Sequence, residues 1–164
     1  MHPPTIREAR PEEMPAVLGL ILDAYSQFAP FLGDDFVEEY REEAGDVIDH
    51  PHTEVLVAEV DGHLAGTVTF YPEGHHYDAA VPPEWSCIRT LAVSPAYRGG
   101  GLGRALMQRC LDRGRSLGRQ RVLLHTLSFM REAISLHESL GFRRAPEIDV
   151  DYNNTAAIAY VLDL

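Results

Sequence analysis

Lysine is absent from this chain, so every fixed cation is an arginine. A planar guanidinium grips phosphate or carboxylate at two points where an ammonium acts as a point charge. Cysteine is scarce, with Cys87 and Cys110 as the only two. One falls in an expected strand and the other on the apolar side of an expected helix, which suits small core residues rather than a disulfide or a ligand pair. No apolar run approaches the length of a bilayer span, and the first residues carry no basic-then-apolar leader. These absences predict a soluble, cytoplasmic protein with no membrane partner. No repeat or low-complexity linker divides the 164 residues. Residues 1–164 are therefore expected to form one domain, large enough to bury a core without metal.

Positive charge is outweighed throughout, leaving a net −11, and that acidity argues against nucleic acid as a partner. Its distribution is uneven. Residues 1–88 hold 18 acids against three arginines, whereas residues 89–144 hold 11 arginines against three acids. A polyphosphate would favour the middle of the chain and a cationic ligand the acidic first half.

What is present reads as an alternation of strands and helices. Thr5 to Glu8 predicts a short strand, and Pro11-Glu12-Glu13 opens a helix through about Phe28, since proline and early acids suit a first turn. Met14, Val17, Leu18, Ile21, Leu22 and Tyr25 give it a core-facing stripe. A second, acidic helix spans roughly 34–49. Glu54 to Val60 and His63 to Tyr71 alternate on either side of Asp61-Gly62, which predicts a hairpin. The loop from Pro72 to Pro83 contains His75 and His76, and adjacent histidines without a third ligand at suitable spacing read as solvated rather than metal-binding. Further strands are expected at Trp85 to Val93, Arg121 to Leu127 and Ala156 to Leu164, with helices from Leu102 to about Gly118 and from Met130 to Leu140.

Between the strand ending at Val93 and the helix starting near Leu102 lies Arg98-Gly99-Gly100-Gly101-Leu102-Gly103-Arg104. Glycines let backbone N–H groups approach an anion closely, and the positive end of the following helix points at the same place. Arg98 and Arg104 add charge-assisted donors. A phosphate cradle follows, although a tight turn with arginine caps fits the run equally when it is taken alone.

The block from Thr90 to Gly103, read with Ala133-Ile134-Ser135-Leu136-His137-Glu138-Ser139-Leu140-Gly141-Phe142, resembles the GCN5-related N-acetyltransferases, the GNAT family. The resemblance covers essentially the whole chain. It implies an α/β (α+β) fold with a mixed, mostly antiparallel central sheet flanked by helices, whose fourth and fifth strands splay apart. It implies acetyl-CoA as cosubstrate, with the backbone of Leu91, Ala92 and Val93 pairing with pantetheine amides. Arg98, Gly99, Gly100, Gly101, Leu102, Gly103 and Arg104 would hold the pyrophosphate. The implied reaction is acetyl transfer to a primary amine by direct attack, with no metal and no nucleophilic cysteine. The acidic first half suggests a cationic acceptor, either a small molecule or a peptide amine, and a homodimer is admitted.

Two departures from the family pattern bear on catalysis. His137 stands where the last helix commonly presents a tyrosine, and Met130 where an asparagine is often found. An imidazolium at His137 would protonate the leaving thiolate. The neighbourhood in which some members keep an acid holds Arg89, so Glu84, just before the strand, is the expected base. The competing reading is an acyl-CoA-binding sensor or structural module without catalysis. A nucleotide-binding P-loop is disfavoured, because no Lys-Ser or Lys-Thr follows the glycines.

Overall fold

Asp61 and Gly62 both adopt left-handed backbone conformations, with φ of 48° and 81°. That geometry matches the twist of a two-residue hairpin, and it joins β2 (Glu54–Val60) to β3 (His63–Tyr71). The computed structural model describes residues 2–164. The remaining strands are β1 (Thr5–Glu8), β4 (Trp85–Val93), β5 (Arg121–Leu127), β6 (Arg143–Arg144), β7 (Val150–Tyr152) and β8 (Thr155–Asp163). They form one sheet in the order β1-β2-β3-β4-β5-β8-β6, with β7 also on β8. Every pairing is antiparallel except β4 with β5. The expected mixed, mostly antiparallel sheet flanked by helices is the fold observed.

Alternation along β2 separates the two cores. Leu56 and Ala58 face α4 (Leu102–Ser116), packing with Leu106, Met107 and Cys110, while Val55 and Val57 pack with Val17, Ile21, Phe36 and Tyr40. Those last four belong to α1 (Met14–Tyr25) and α3 (Phe36–Ile48). Cys87 and Cys110 are buried free thiols, and burial pushes both up, away from reactivity. They are core residues, as the sequence implied.

The first helix departs from expectation. It begins as a 3-10 turn at Pro11–Glu13, tightens again at Ser26–Phe28 and continues as α2 (Ala29–Leu32). The stretch Pro11–Leu32 is therefore 22 residues long and, by length and composition alone, apolar enough to cross a bilayer. No single apolar run reveals this in the sequence, because Asp23, Ser26 and Gln27 break the stretch after Met14–Leu22. Here the stretch lies on the sheet and buries Val17, Ile21, Leu22 and Ala24. The two-residue β6 and three-residue β7 were also missed, being too short to show a period.

β4 and β5 pair only from Trp85–Arg121 to Ile88–Leu124. Beyond that point β4 stays with β3, and β5 stays with β8. A bulge marks the parting: the register with β3 shifts between Thr67 and Thr69, and Thr90 takes a φ of 54°. A β-branched residue rarely adopts that conformation, and the bend it makes carries β4 away from β5. The strands open into a V.

Candidate active site

A cleft of about 680 Å³ occupies the V. Leu91, Ala92 and Val93 form one wall, and Leu124, His125 and Thr126 of β5 with α5 (Arg131–Ser139) form the other. Past Ile88, the β4 backbone has no strand partner on the β5 side, so its polar groups are open to a ligand. One carbonyl, that of Leu91, accepts a hydrogen bond from the Tyr25 hydroxyl at 3.2 Å.

Arg98, Gly99, Gly101, Leu102, Gly103 and Arg104 line one end of this cleft, and Gly100 does not. Gly99 and Gly101 have φ of 82° and 84°, with open space where a Cβ would stand. Gly101 caps α4, and the first helical bond runs from the Ala105 N–H to the Gly101 carbonyl at 3.0 Å. The N–H groups of Leu102, Gly103 and Arg104 therefore have no helical acceptor, which leaves donors at the positive end of a 15-residue helix. Gly103 serves packing as well, since a Cβ there would lie 3.3 Å from Leu136 Cδ2 of α5. Arg98 Nε donates to the Val93 carbonyl at 3.3 Å, and Arg104 donates to Ser139 Oγ.

The two expected catalytic groups fare differently. Glu84 is exposed at the closed end of the strand pair, where its carbonyl accepts the Gln120 N–H at 3.0 Å. It does not line the cleft. At about 3.3 Å per residue along β4, it sits roughly 20 Å from Leu91, so Glu84 is not placed to act as a base. His137 does line the cleft, on α5, and is only 5% exposed. Its Nδ1 is buried without a partner among the described residues, and burial pushes the ring down to about 4. Burial therefore favours the neutral ring near neutrality over the imidazolium expected of it.

A second chamber of about 150 Å³ adjoins the cleft, the two sharing Tyr25, Arg89, Thr90, His125, Thr126 and Met130. Its walls are aromatic: Tyr25 and Phe36 with Tyr40 from the helices, Tyr77 from the β3–β4 loop and Tyr152 from β7. Arg89 is its only residue with a fixed charge among those described. The guanidinium lies 5.5 Å from the Tyr77 ring centroid, and Nη2 donates to Glu43 Oε1 at 3.1 Å. Tyr152 donates to Glu43 Oε2 at 2.8 Å, so the carboxylate braces the arginine without lining the chamber.

Tyr77 and His125 are linked at 2.6 Å through the hydroxyl and Nδ1, and His125 Nε2 lies 2.9 Å from the Ile148 carbonyl. A carbonyl only accepts, so the ring proton sits on Nε2. Nδ1 is then the acceptor and the tyrosine the donor. Burial holds the Tyr77 phenol well above its ordinary range, so it stays protonated.

At the far side of the β3–β4 loop, Glu73 stands beside His75 and His76 as a third group of metal-ligand type. Donor atoms of these three lie within 4.8 Å of one another, and the His52 ring stacks on His76 at 4.0 Å. Gly74 fixes this turn, because a Cβ there would be 2.5 Å from Val81 Cγ1.

Comparison with known proteins places these features in context. A model of the acetyltransferase (GNAT) family matches residues 19–142. The N-acetyltransferase YjgM of Escherichia coli strain K12, itself uncharacterized, is 26% identical over 85% of this chain and 81% of its own length. The L-methionine sulfoximine/L-methionine sulfone acetyltransferase of Salmonella typhimurium is 28% identical over 73% of this chain and 67% of its own. Among solved structures, the PaiA N-acetyltransferase of Thermoplasma acidophilum in complex with coenzyme A shares the fold at a TM-score of 0.80. That match covers 99% of this chain and 100% of that one at 13% identity. YncA of Salmonella typhimurium with acetyl-CoA gives 0.67 at 24% identity, over 99% and 95%.

Proposed function

The chain belongs to the GNAT acetyltransferase family, and on that premise we propose that it transfers an acetyl group from acetyl-CoA to the primary amine of a small acceptor by direct attack. One observation carries the reading: unpaired β4 backbone runs from the bulge at Thr90 to a glycine-built anion cradle, with an aromatic chamber at its other end. The open space at Gly99 and Gly101 and the free N–H groups at the start of α4 fit a pyrophosphate. Leu91, Ala92 and Val93 offer their backbone to an amide-bearing arm in the manner of an added strand.

The thioester supplies the activated acyl group, and the acceptor nitrogen must shed two protons, one before it attacks and one as the amide forms. The acceptor enters as an ammonium and must lose a proton before its nitrogen attacks. Glu84 is too far away, so the route runs through Tyr77. As the phenol oxygen takes the amine proton, its own proton passes along the 2.6 Å contact to His125 Nδ1. His125 becomes an imidazolium whose Nε2–H remains on the Ile148 carbonyl. The new C–N bond forms as the C–S bond breaks, and the second proton of the nitrogen passes to the departing sulfur, so the amide leaves neutral and CoA leaves as the thiol. His137, neutral at this pH, offers that sulfur a hydrogen bond rather than a proton. No step calls for a metal or for a covalent intermediate on Cys87 or Cys110.

The competing reading, an acyl-CoA-binding module without catalysis, keeps the cradle and dispenses with the chamber. CoA release over a panel of amines separates them: turnover with at least one amine supports transfer. Binding of acetyl-CoA with no amine turned over supports the module.

A further inference from the structure

We propose that the aromatic chamber reads a carboxylate, so that the acceptor is a small amine of the amino-acid class whose carboxylate is held by Arg89. The inference rests on the acetyl-transfer reading and names the substrate class of that site. It revises the cationic acceptor suggested by the acidic first half. Of the 18 acids in residues 1–88, none lines the chamber, and its one fixed charge is positive. Charge that lies on outer helix faces steers little at the point of contact.

Arg89 is built as a binding group. A guanidinium carries five N–H donors. Glu43 takes one, which leaves donors on a wall shared by the cleft and the chamber. Glu43, itself held by Tyr152, orients the fork from behind, while the Tyr77 face supports it from the side. A ligand with ammonium groups and no carboxylate would meet an uncompensated cation already installed among the aromatic rings. A carboxylate would meet the two-point donor geometry that suits it.

Size and placement agree. A cavity near 150 Å³ is about what one benzene ring fills, so the chamber has the size of one small side chain. Arg89 immediately precedes the bulge residue Thr90 and lies against Tyr77. A carboxylate held there presents an adjacent α-amine to both the parting of the strands and the proton route.

The test is CoA release, with acetyl-CoA saturating, on matched sets: leucine, phenylalanine and methionine sulfone against their carboxamides and decarboxylated amines. We expect kcat/KM to favour the free acids by roughly tenfold or more. Arg89→Met should erase that preference by raising KM for the acids, with acetyl-CoA affinity by calorimetry unchanged. Arg89→Lys, which keeps the charge and loses the fork, should recover part of it. Amides and amines turned over as well as the acids would overturn the carboxylate reading while leaving acetyl transfer standing. So would an Arg89→Met enzyme that loses every acceptor alike. Should no amine be turned over, the transfer reading fails, and titration of wild type and Arg89→Lys with N-acetylleucine against its amide decides the rest. Binding that ignores both the carboxylate and the substitution sinks the proposal.

Discussion

The rings of Phe31 and Phe129 lie face to face, with centroids 4.5 Å apart and planes 5° from parallel. Phe31 belongs to α2 and is 61% exposed, Phe129 belongs to the turn between β5 and α5, and both line the cleft. Phe28 adds a third ring, 5.7 Å from Phe129. The N-terminal helical arm is thereby joined to the far wall of the cleft by a contact worth about 0.5–1.5 kcal/mol, weak enough to break and re-form as ligands pass.

Phe31→Ala should leave the fold intact, because the side chain is mostly in water, and should speed acetyl-CoA dissociation several-fold. Stopped-flow displacement measures this. A dissociation rate equal to wild type would make the stack a surface contact only.

Acetyl-CoA should raise the melting temperature progressively with concentration, since it engages groups assembled only in the native state. Gly101→Asp should abolish that shift, because it places a carboxylate in the anion site and a side chain at a φ of 84°. Gly100→Ala is the control. Its Cβ would meet only Tyr97 O at 3.7 Å, with no left-handed backbone to strain, so affinity should stay within about twofold of wild type. Loss of binding in the alanine variant would mean that the whole turn, rather than the cradle, is sensitive.

Tyr77→Phe keeps the ring under Arg89 and removes the hydroxyl that meets His125. Turnover should fall about a hundredfold, with acetyl-CoA affinity little changed, the pattern of a lost proton-transfer step. Normal turnover would remove Tyr77 from the route.

His137 sets a pH dependence of stability. Its folded pKa of about 4 lies below the ordinary 6.5, so between those values the unfolded chain takes up a proton that the folded chain refuses. Its contribution is fully present above about pH 6.5 and is lost as pH falls towards 4. Urea midpoints for His137→Phe should decline less over that interval than those of wild type. Its turnover at neutral pH should drop by less than about tenfold, because a hydrogen bond and not a proton is removed. Parallel pH curves for the two proteins would show that the imidazole is not buried uncharged.

The β2–β3 hairpin, the amphipathic α4 and the glycine turn ahead of it were legible from residue order, as were the core positions of Cys87 and Cys110. Each depends on interactions within a few residues: the φ freedom of Gly62 and Gly101, the alternation of Val55 to Val60, the helical spacing of Leu102, Leu106 and Cys110. The longer strands were legible from their alternation, and the splay of β4 from β5 came with the resemblance.

Placement and burial were not legible. Glu84 precedes the right strand, but only the direction of β4 decides that it sits at the closed end. The charge state of His137 depends on atoms that bury it, and those packed against it include Phe142 of the following segment. Tyr25, with its helical spacing, passed as a core residue, and Tyr77 and His125 passed as members of a loop and a strand. Tyr25, Tyr77, Arg89, His125 and Tyr152 meet around one chamber although no spacing relates them. Residue order sets the local conformations and the glycine turn ahead of α4, because backbone preference and periodicity act along the chain. Which carboxylate is remote, which histidine is neutral and which arginine faces an acceptor were decided by tertiary packing alone, since desolvation and charge contact depend on what is near in space.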